Sequence, residues 1–217
     1  MKLSEQTITI LKNFASINQS IKFVAGNEIR TVSPQNHIVG KATISDLIPQ
    51  DFAIYDLSRF LQCANLIGEP TLEFSDNYVN IVGDSNQIRY AFTDPTLITG
   101  ANYEKQYQIT KEIANVTITQ SKLQKIKQAA SVLGSTNISL VGSDGDINLI
   151  AHDLKNKSAD RYKVFLGNTD NKFTVVYGVD DFKMILDNYT LAVSDKTITQ
   201  FTGGLVTYTV GAEITLD

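Results

Sequence analysis

Apolar residues recur at three- and four-residue intervals from Ser4 to Asn18. Ile8, Leu11, Phe14 and Ala15 fall on one side, and Glu5, Thr9, Lys12, Ser16 and Gln19 form a polar stripe opposite. That period predicts an amphipathic helix with Ser4 as its N-cap. The same period returns between Thr119 and Leu133. There Leu123, Ile126, Ala130 and Leu133 make the apolar stripe, and Gly134 supplies a left-handed stop. Two further helices each follow a strand. Asp56 caps one carrying Leu57, Phe60, Leu61, Ala64 and Ile67, after a strand ending at Ile54-Tyr55. Asp180 caps a shorter one carrying Phe182, Ile185 and Leu186, after a strand ending at Val176-Tyr177. Elsewhere the period drops to two. Thr71–Phe74, Val79–Val82, Ile88–Phe92, Asn137–Val141, Ile147–Ala151, Tyr162–Leu166 and Thr197–Phe201 read as short strands divided by polar turns. Many short strands with a few helices predict an α+β chain with antiparallel sheets.

The pattern repeats itself. The first and third helices superpose at an offset of 115 residues, Ile8 on Leu123, Leu11 on Ile126 and Ala15 on Ala130. The strands after them match at 117, Ile21 on Ile138 and Phe23 on Leu140. The strand–helix units match at 122, Ile54 on Val176, Tyr55 on Tyr177, Leu57 on Val179 and Phe60 on Phe182. Matches in the same order at nearly one offset point to an internal duplication. Two domains are expected, residues 1–100 and 113–217. Residues 101–112 form part of the connection, within a stretch from 93 to 112 that holds Pro95 and Gly100 and has little periodicity.

Composition changes the picture only when it is divided along the chain. The 217 residues carry 19 basic and 23 acidic side chains, a net −4, which by itself argues against a nucleic-acid binder. Yet residues 1–27 hold Lys2, Lys12 and Lys22 against Glu5 alone, and residues 113–143 hold Lys122, Lys125 and Lys127 with no acid. Both blocks coincide with helices. Lysines on a solvated helix are ordinary, but such faces usually mix signs to gain pairs four residues apart.

Other chemistry is sparse. A single cysteine, Cys63, excludes an internal disulfide and a cysteine-based zinc site, and two histidines leave little for histidine catalysis. No phosphate-binding G-x-x-x-x-G-K-[ST] loop and no G-x-S-x-G turn is present, so no enzyme activity, metal or cofactor is expected. Asp144-Gly145-Asp146 opens like a calcium loop but has Leu149 and Lys155 where that loop needs glycine and a bidentate glutamate. Asp180-Asp181 is the remaining carboxylate pair, read as a helix cap. No apolar run is long enough to cross a membrane, and the opening seven residues lack the apolar core of a secretory leader.

Several segments resemble the DNA polymerase sliding clamps of T4-type bacteriophages. They are Met1-Lys2-Leu3-Ser4, the run from Leu11 to Asn18, Ile44-Ser45-Asp46, and Phe52-Ala53-Ile54-Tyr55-Asp56-Leu57 with Phe60-Leu61. In the second half Arg161-Tyr162-Lys163, Lys183-Met184 and Asn188-Tyr189 fall where that family has similar segments. The resemblance implies a clamp fold similar to proliferating-cell nuclear antigen. It has two duplicated domains, each with two helices packed on antiparallel sheets, and three subunits closing head-to-tail around duplex DNA. It implies as partners the replicative polymerase, an ATP-dependent clamp loader and late-transcription factors, in the cytoplasm of the infected host. On that model Lys2, Lys12, Arg59, Lys122, Lys125, Lys127 and Lys183 line the hole, where mobile lysines attract phosphate without reading bases. The implied subunit contact joins Gln87, Arg89, Tyr90 and Phe92 to Arg161, Tyr162, Val164 and Leu166 of a neighbour, edge strand to edge strand. Partner peptides are expected near Ile38, Val39, Leu97, Ile98, Tyr208 and Val210. Two other functions remain open on the residues alone: a small two-domain metal-dependent nuclease using Asp180 and Asp181, and a phage interaction protein without DNA contact.

Overall fold

Helix α1 (Glu5–Ile17) begins where a side chain can replace its missing hydrogen-bond acceptors: Ser4 Oγ accepts from the Thr7 amide at 3.2 Å. Ser4 is itself held, donating from its amide and its hydroxyl to Asp46 Oδ2 at 3.0 and 2.8 Å. Thr7, Ile10, Leu11, Phe14 and Ile17 are the buried face of the helix. Ile8 and Ala15, placed in the apolar stripe by sequence, are half-buried on a flank. They line surface clefts with residues of a second helix, which explains their apolar character.

The computed structural model describes residues 1–156 and 158–216, and the chain divides into two units between Gln106 and Tyr107. In the first unit α1 is followed by β1 (Ile21–Phe23), the hairpin of β2 (Gly26–Val32) and β3 (Ile38–Ile48), and β4 (Phe52–Ile54). Helix α2 (Leu57–Ile67) starts at Asp56, whose carboxylate accepts from the Arg59 amide at 2.8 Å. Strands β5 (Thr71–Phe74), β6 (Tyr78–Val82) and β7 (Gln87–Ala91) form an antiparallel sheet in that order. Phe23, Phe52 and Phe92 stack at centroid separations of 4.5 and 4.8 Å and close the core between the short strands.

The segment after β7 is tied to this unit. Asn18 donates to Thr99 O at 2.9 Å. The buried Arg30 donates through Nη1 to Asn102 O and Lys105 O at 3.1 and 2.8 Å and through Nε to Glu28 at 2.7 Å. Its guanidinium lies 5.3 Å from the Tyr103 ring centroid, and the Tyr103 hydroxyl accepts from the Arg30 amide and donates to Lys22 O. Burial pushes the Tyr103 phenol up to about 12, against the opposing pull of Arg30. A buried charge paired with a carboxylate and bonded to two carbonyls avoids the cost of an unpaired one.

The second unit contains β8 (Glu112–Ile118), α3 (Gln120–Val132), β9 (Asn137–Ser143), β10 (Asp146–His152), β11 (Tyr162–Asn168), β12 (Phe173–Gly178), β13 (Tyr189–Ser194), β14 (Ile198–Thr202), β15 (Thr207–Gly211) and β16 (Glu213–Leu216). Strands β8, β13, β14 and β15 are joined in the order β15-β14-β13-β8, and a second sheet runs β11-β10-β9-β12-β16. Tyr177, Phe182, Phe201, Tyr189 and Tyr208 pack edge-to-face between them. The Thr119 hydroxyl caps α3, and the Gln120 amide donates to Asn188 Oδ1 at 2.8 Å.

Both units repeat a helix followed by a strand. Helices α1 and α3 have 13 residues each, with caps 115 apart. β1 pairs with β4 as β9 pairs with β12, Ile21 opposite Ile54 and Ile138 opposite Tyr177. That register puts Ile54 in the place of Tyr177, one residue from the match read in the sequence. Burial agrees: Tyr177 is enclosed, whereas Tyr55 is 61% exposed. A one-residue slip turns every side chain to the other face of a sheet, so the burial of Tyr177 decides the alignment.

The expected fourth helix is not formed. Only a single 3-10 turn, Val179–Asp181, is present, entered through Gly178 with no side-chain cap. Phe182 and Met184 are then buried in alternation, as in extended chain. Side chains supply the partners a helix would have used. The Ile185 amide donates to Tyr208 Oη at 3.3 Å, and Ile185 O accepts from Tyr189 Oη at 2.8 Å. Tertiary hydrogen bonds override a short apolar pattern that suits a helix.

The Asp46 contact generates a pH prediction. Burial opposes ionisation of Asp46, but hydrogen bonds from the Thr7 side chain and from the Ser4 amide and hydroxyl outweigh it and hold the carboxyl below its ordinary value. A depressed acid stabilises the fold above its unfolded pKa of about 3.9 and loses that effect as pH falls through the lower folded value. Asp46→Asn is expected to melt at a lower temperature than the parent at neutral pH, and the difference to vanish in acid. Melting curves separated equally at all pH values would contradict this account.

Candidate nucleic-acid interface

The buried side of each helix determines what the other side offers. In α1 the exposed residues include Glu5, Thr9, Lys12 and Ser16. In α2 burial of Leu57, Phe60, Leu61 and Ala64 leaves Arg59, Gln62 and Leu66 outward. In α3 burial of Leu123, Ile126 and Ala130 leaves Ser121, Gln124, Lys125, Gln128 and Val132 outward. No acidic residue occurs between Asp56 and Glu69 or between Glu112 and Asp144, so α2 and α3 carry none. Glu5 is the one acid within α1 and sits in its first turn, where it favours the helix dipole.

The three lysines of α3, grouped together by sequence, have different surroundings. Lys122 and Lys127 border the buried stripe on opposite sides. Lys122 Nζ donates to Phe165 O at 2.9 Å, and Lys127 Nζ donates to Met184 O at 3.1 Å. Burial lowers the pKa of Lys127, because its charge is partly removed from water. Lys125 is exposed, with no hydrogen bond or ion pair among the described residues. Lys12 and Arg59 are likewise exposed on the outward sides of α1 and α2. Lys2 is exposed just before α1 and lies 3.9 Å from Glu69 in a solvated pair. Lys183 is half-exposed in the extended segment after the 3-10 turn.

The other predicted residues lie on strands and turns. Gln87, Arg89 and Tyr90 belong to β7, the outermost strand of its sheet. Arg89 lies 3.7 Å over the Tyr78 ring, and Tyr90 Oη donates to Asp56 O at 2.9 Å, while Phe92 is stacked on Phe52 beyond the strand end. Tyr162, Val164 and Leu166 belong to β11, also outermost in its sheet, with Arg161 exposed just before it. A register shift passes from Ile147 opposite Gly167 to Asn148 opposite Phe165 and leaves Leu166 as a bulged residue. Phe165, 48% exposed, was not singled out. Its signal was its place in the alternation, since Tyr162, Val164 and Leu166 share the opposite register. Of the peptide-pocket candidates, Ile38 and Val39 are buried at the start of β3, Tyr208 and Val210 are buried in β15, and Ile98 is half-buried. Leu97, in a 3-10 turn capped by Asp94, is 73% exposed. Among the described residues no cluster of three His, Cys, Asp or Glu side chains could hold a metal, and Asp180 and Asp181 stand in the 3-10 turn without a third ligand.

Residues 2–98 match the family model of the DNA polymerase processivity factor. The sliding clamp of Escherichia phage RB69 is 30% identical over 224 residues, covering 98% of this chain and 97% of the relative. The chain belongs to the phage sliding-clamp family. The clamp of Vibrio phage KVP40 is 28% identical over 219 residues, covering 98% and 99% of the two chains. Solved clamps share the fold at low identity. Proliferating-cell nuclear antigen from Thermococcus kodakaraensis aligns with a TM-score of 0.71 at 14% identity over 98% of this chain and 99% of the other. The A. fulgidus antigen, solved with the C-terminal region of FEN-1, gives 0.70 at 15% over the whole of both chains. The architecture is therefore the α+β clamp fold, and the function is that of a DNA polymerase processivity factor in phage DNA replication.

The different surroundings of the α3 lysines separate a clamp's structural cations from its solvent-facing ones. Lys127→Ala leaves Met184 O without its donor and is expected to lower unfolding stability by about 1 kcal/mol. Lys125→Ala is expected to stay within about 0.5 kcal/mol of the parent. Urea unfolding of the two variants checks the contrast, and equal stabilities would remove the structural role of Lys127.

Proposed function

We propose that three copies of this chain close head-to-tail into a ring around duplex DNA, with Lys12, Arg59 and Lys125 facing the phosphates. The observation that carries this reading is the sign of the helix faces. In a chain of net −4, helices α1, α2 and α3 expose Lys12, Arg59 and Lys125, and α2 and α3 bear no carboxylate. Such a surface attracts the backbone of any sequence, as a sliding contact requires, and the acidic remainder discourages binding elsewhere. Lys122, Lys127 and Lys183 reinforce the positive field from the borders of the helix, and Lys2 adds to it in the first unit.

Ring closure uses β7 of one copy and β11 of the next. Each has a strand partner on one side only among the described residues, which leaves a row of backbone donors and acceptors for a neighbour. Arg89 and Tyr90 on β7, and Val164, Leu166 and Phe165 on β11, supply the side-chain contacts. Processivity then follows from topology, because a closed ring leaves by opening. Opening is the task of a separate ATP-dependent loader, as this chain has no phosphate-binding loop. The replicative polymerase and late-transcription factors dock by short peptides near Leu97 and Ile98. The protein works without catalysis in the cytoplasm of the infected cell. Among the described residues no helix is long and apolar enough to cross a membrane.

Two measurements test the reading. Size-exclusion chromatography with light scattering is expected to give a trimer mass at micromolar concentration. Lys12→Glu with Lys125→Glu is expected to shorten polymerase products on a primed circular template at least tenfold without changing the trimer. Full-length products from that variant would refute the assignment of these faces to DNA.

A further inference from the structure

In an antiparallel sheet the backbone N–H and C=O of one residue point to the same side, and the side alternates along the strand. The two-residue turn Asp144-Gly145, with both residues at positive φ, closes Ser143 against Asp146. Asp146 therefore bonds toward β9, Ile147 toward β11 and Asn148 toward β9 again. The Thr169 amide, donating to Gly145 O at 3.0 Å, fixes the same alternation from the other side. Phe165 stands opposite Asn148, and Lys163 opposite Ile150. Their backbone groups consequently point away from β10, to the open edge of β11. On β7 the Gly83 amide donates to Asn86 O, and the Phe92 amide donates to Asn77 O. Between these, Gln87, Arg89 and Ala91 direct their backbone groups away from β6.

The edge of β11 is already occupied at one point. Lys122 Nζ, from α3, donates to Phe165 O at 2.9 Å and so takes one of the outward acceptors. Lysine is a residue that proteins place on sheet edges to turn away stray strands. The Phe165 side chain is 48% exposed on the same edge strand. On β7, Arg89 lies 3.7 Å over the Tyr78 ring. Every strand pairing inside these two sheets is antiparallel. In that sense, a hydrogen-bonded joint sets Arg89 opposite either Lys163 or Phe165. Opposite Lys163, two cations stand side by side, which a directly opposed pair disfavours. Opposite Phe165, Arg89 gains a second aromatic neighbour beside Tyr78, and Lys163 falls against the small Ala91.

We propose that Lys122 guards the joining edge of β11, and that the Arg89 amide of a neighbouring copy displaces its ammonium from Phe165 O when the ring closes. The inference rests on the ring reading above. It adds the register, Arg89 opposite Phe165, and a competitor built into each subunit. Before closure the ammonium satisfies the acceptor, and its hydrated charge makes the edge a poor template for a foreign strand. At closure one donor replaces another at Phe165 O, so that bond stabilises the joint less than it would at an unguarded edge. The stack of Tyr78, Arg89 and Phe165 supplies what the guard withholds, and only a strand with an arginine at that position brings it. The joint is thereby selective for β7 and looser than an unguarded one.

Sedimentation velocity over a dilution series measures the concentration at which the trimer half-dissociates. Lys122→Met keeps the aliphatic stem of the side chain and removes the donor. It is expected to lower that concentration about fivefold, the effect of one hydrogen bond freed from competition. Lys196→Met, which removes an exposed lysine from the turn between β13 and β14, is expected to leave it unchanged. Arg89→Ala and Phe165→Ala are each expected to raise it about tenfold. The double variant is expected to fall well short of the roughly hundredfold of independent losses, because the two side chains share one contact. A Lys122→Met trimer no tighter than the parent would overturn the guard. Losses at Arg89 and Phe165 that multiply would overturn the register. A parent that stays monomeric at every concentration would instead strike the ring reading, and this proposal with it.

Discussion

A helix face that must not repel a polyanion cannot carry carboxylates, and that restriction removes the ion pairs that ordinarily steady an exposed helix. Helices α2 and α3 have no acid, and α1 has only Glu5. Their order has to come from their ends and from their buried side. Each begins at a side-chain cap, Ser4, Asp56 or Thr119. Asp46 holds the first cap and Asn188 supplies a further acceptor at the start of α3. The acids that steady α1 and α2, Asp46, Glu5 and Asp56, are thus placed at or before the first turn, where the dipole favours them. Two lysines of α3 complete the arrangement by reaching backbone carbonyls on neighbouring segments. A cation that satisfies a carbonyl stays positive, so the helix gains anchorage without losing the sign of its face.

Three of the four helices were legible in the sequence because an amphipathic period of a dozen residues, bounded by a capping residue, is a redundant signal. The fourth failed on shortness. Phe182, Ile185 and Leu186 satisfy a helical period over barely one turn, and the deciding partners, Tyr189 and Tyr208, come from strands whose placement no local pattern reveals. The duplication was visible in α1 and α3, where caps and stripes agree. It slipped by one residue at Tyr177, because two adjacent apolar residues in each copy leave the register undetermined until burial distinguishes them. Strand pairing beyond neighbouring hairpins was illegible: β8 is fixed by the distant β13 and β16 by β12, partners that no local composition reveals.

The candidate site was legible at the level of charge and not at the level of geometry. Blocks of lysine without acid can be counted. Whether an individual amino group faces solvent depends on its angle to the buried stripe and on what lies within its reach. Lys125 lies well away from Leu123 and Ile126, whereas Lys122 and Lys127 sit beside the stripe and find Phe165 O and Met184 O.

A net charge of −4 and a polyanionic ligand are compatible because the two quantities refer to different lengths. Net charge governs the field far from the molecule, where screening over about 10 Å at ordinary ionic strength removes most of it. Close to the surface the sign is set by the few groups within that distance, and on α2 and α3 those groups are Arg59 and Lys122, Lys125 and Lys127. An acidic body then serves the same end as the basic helices. It leaves one kind of surface on which a phosphate chain is stable and makes the rest unfavourable, so that a ligand gripped without sequence recognition is still confined to one place.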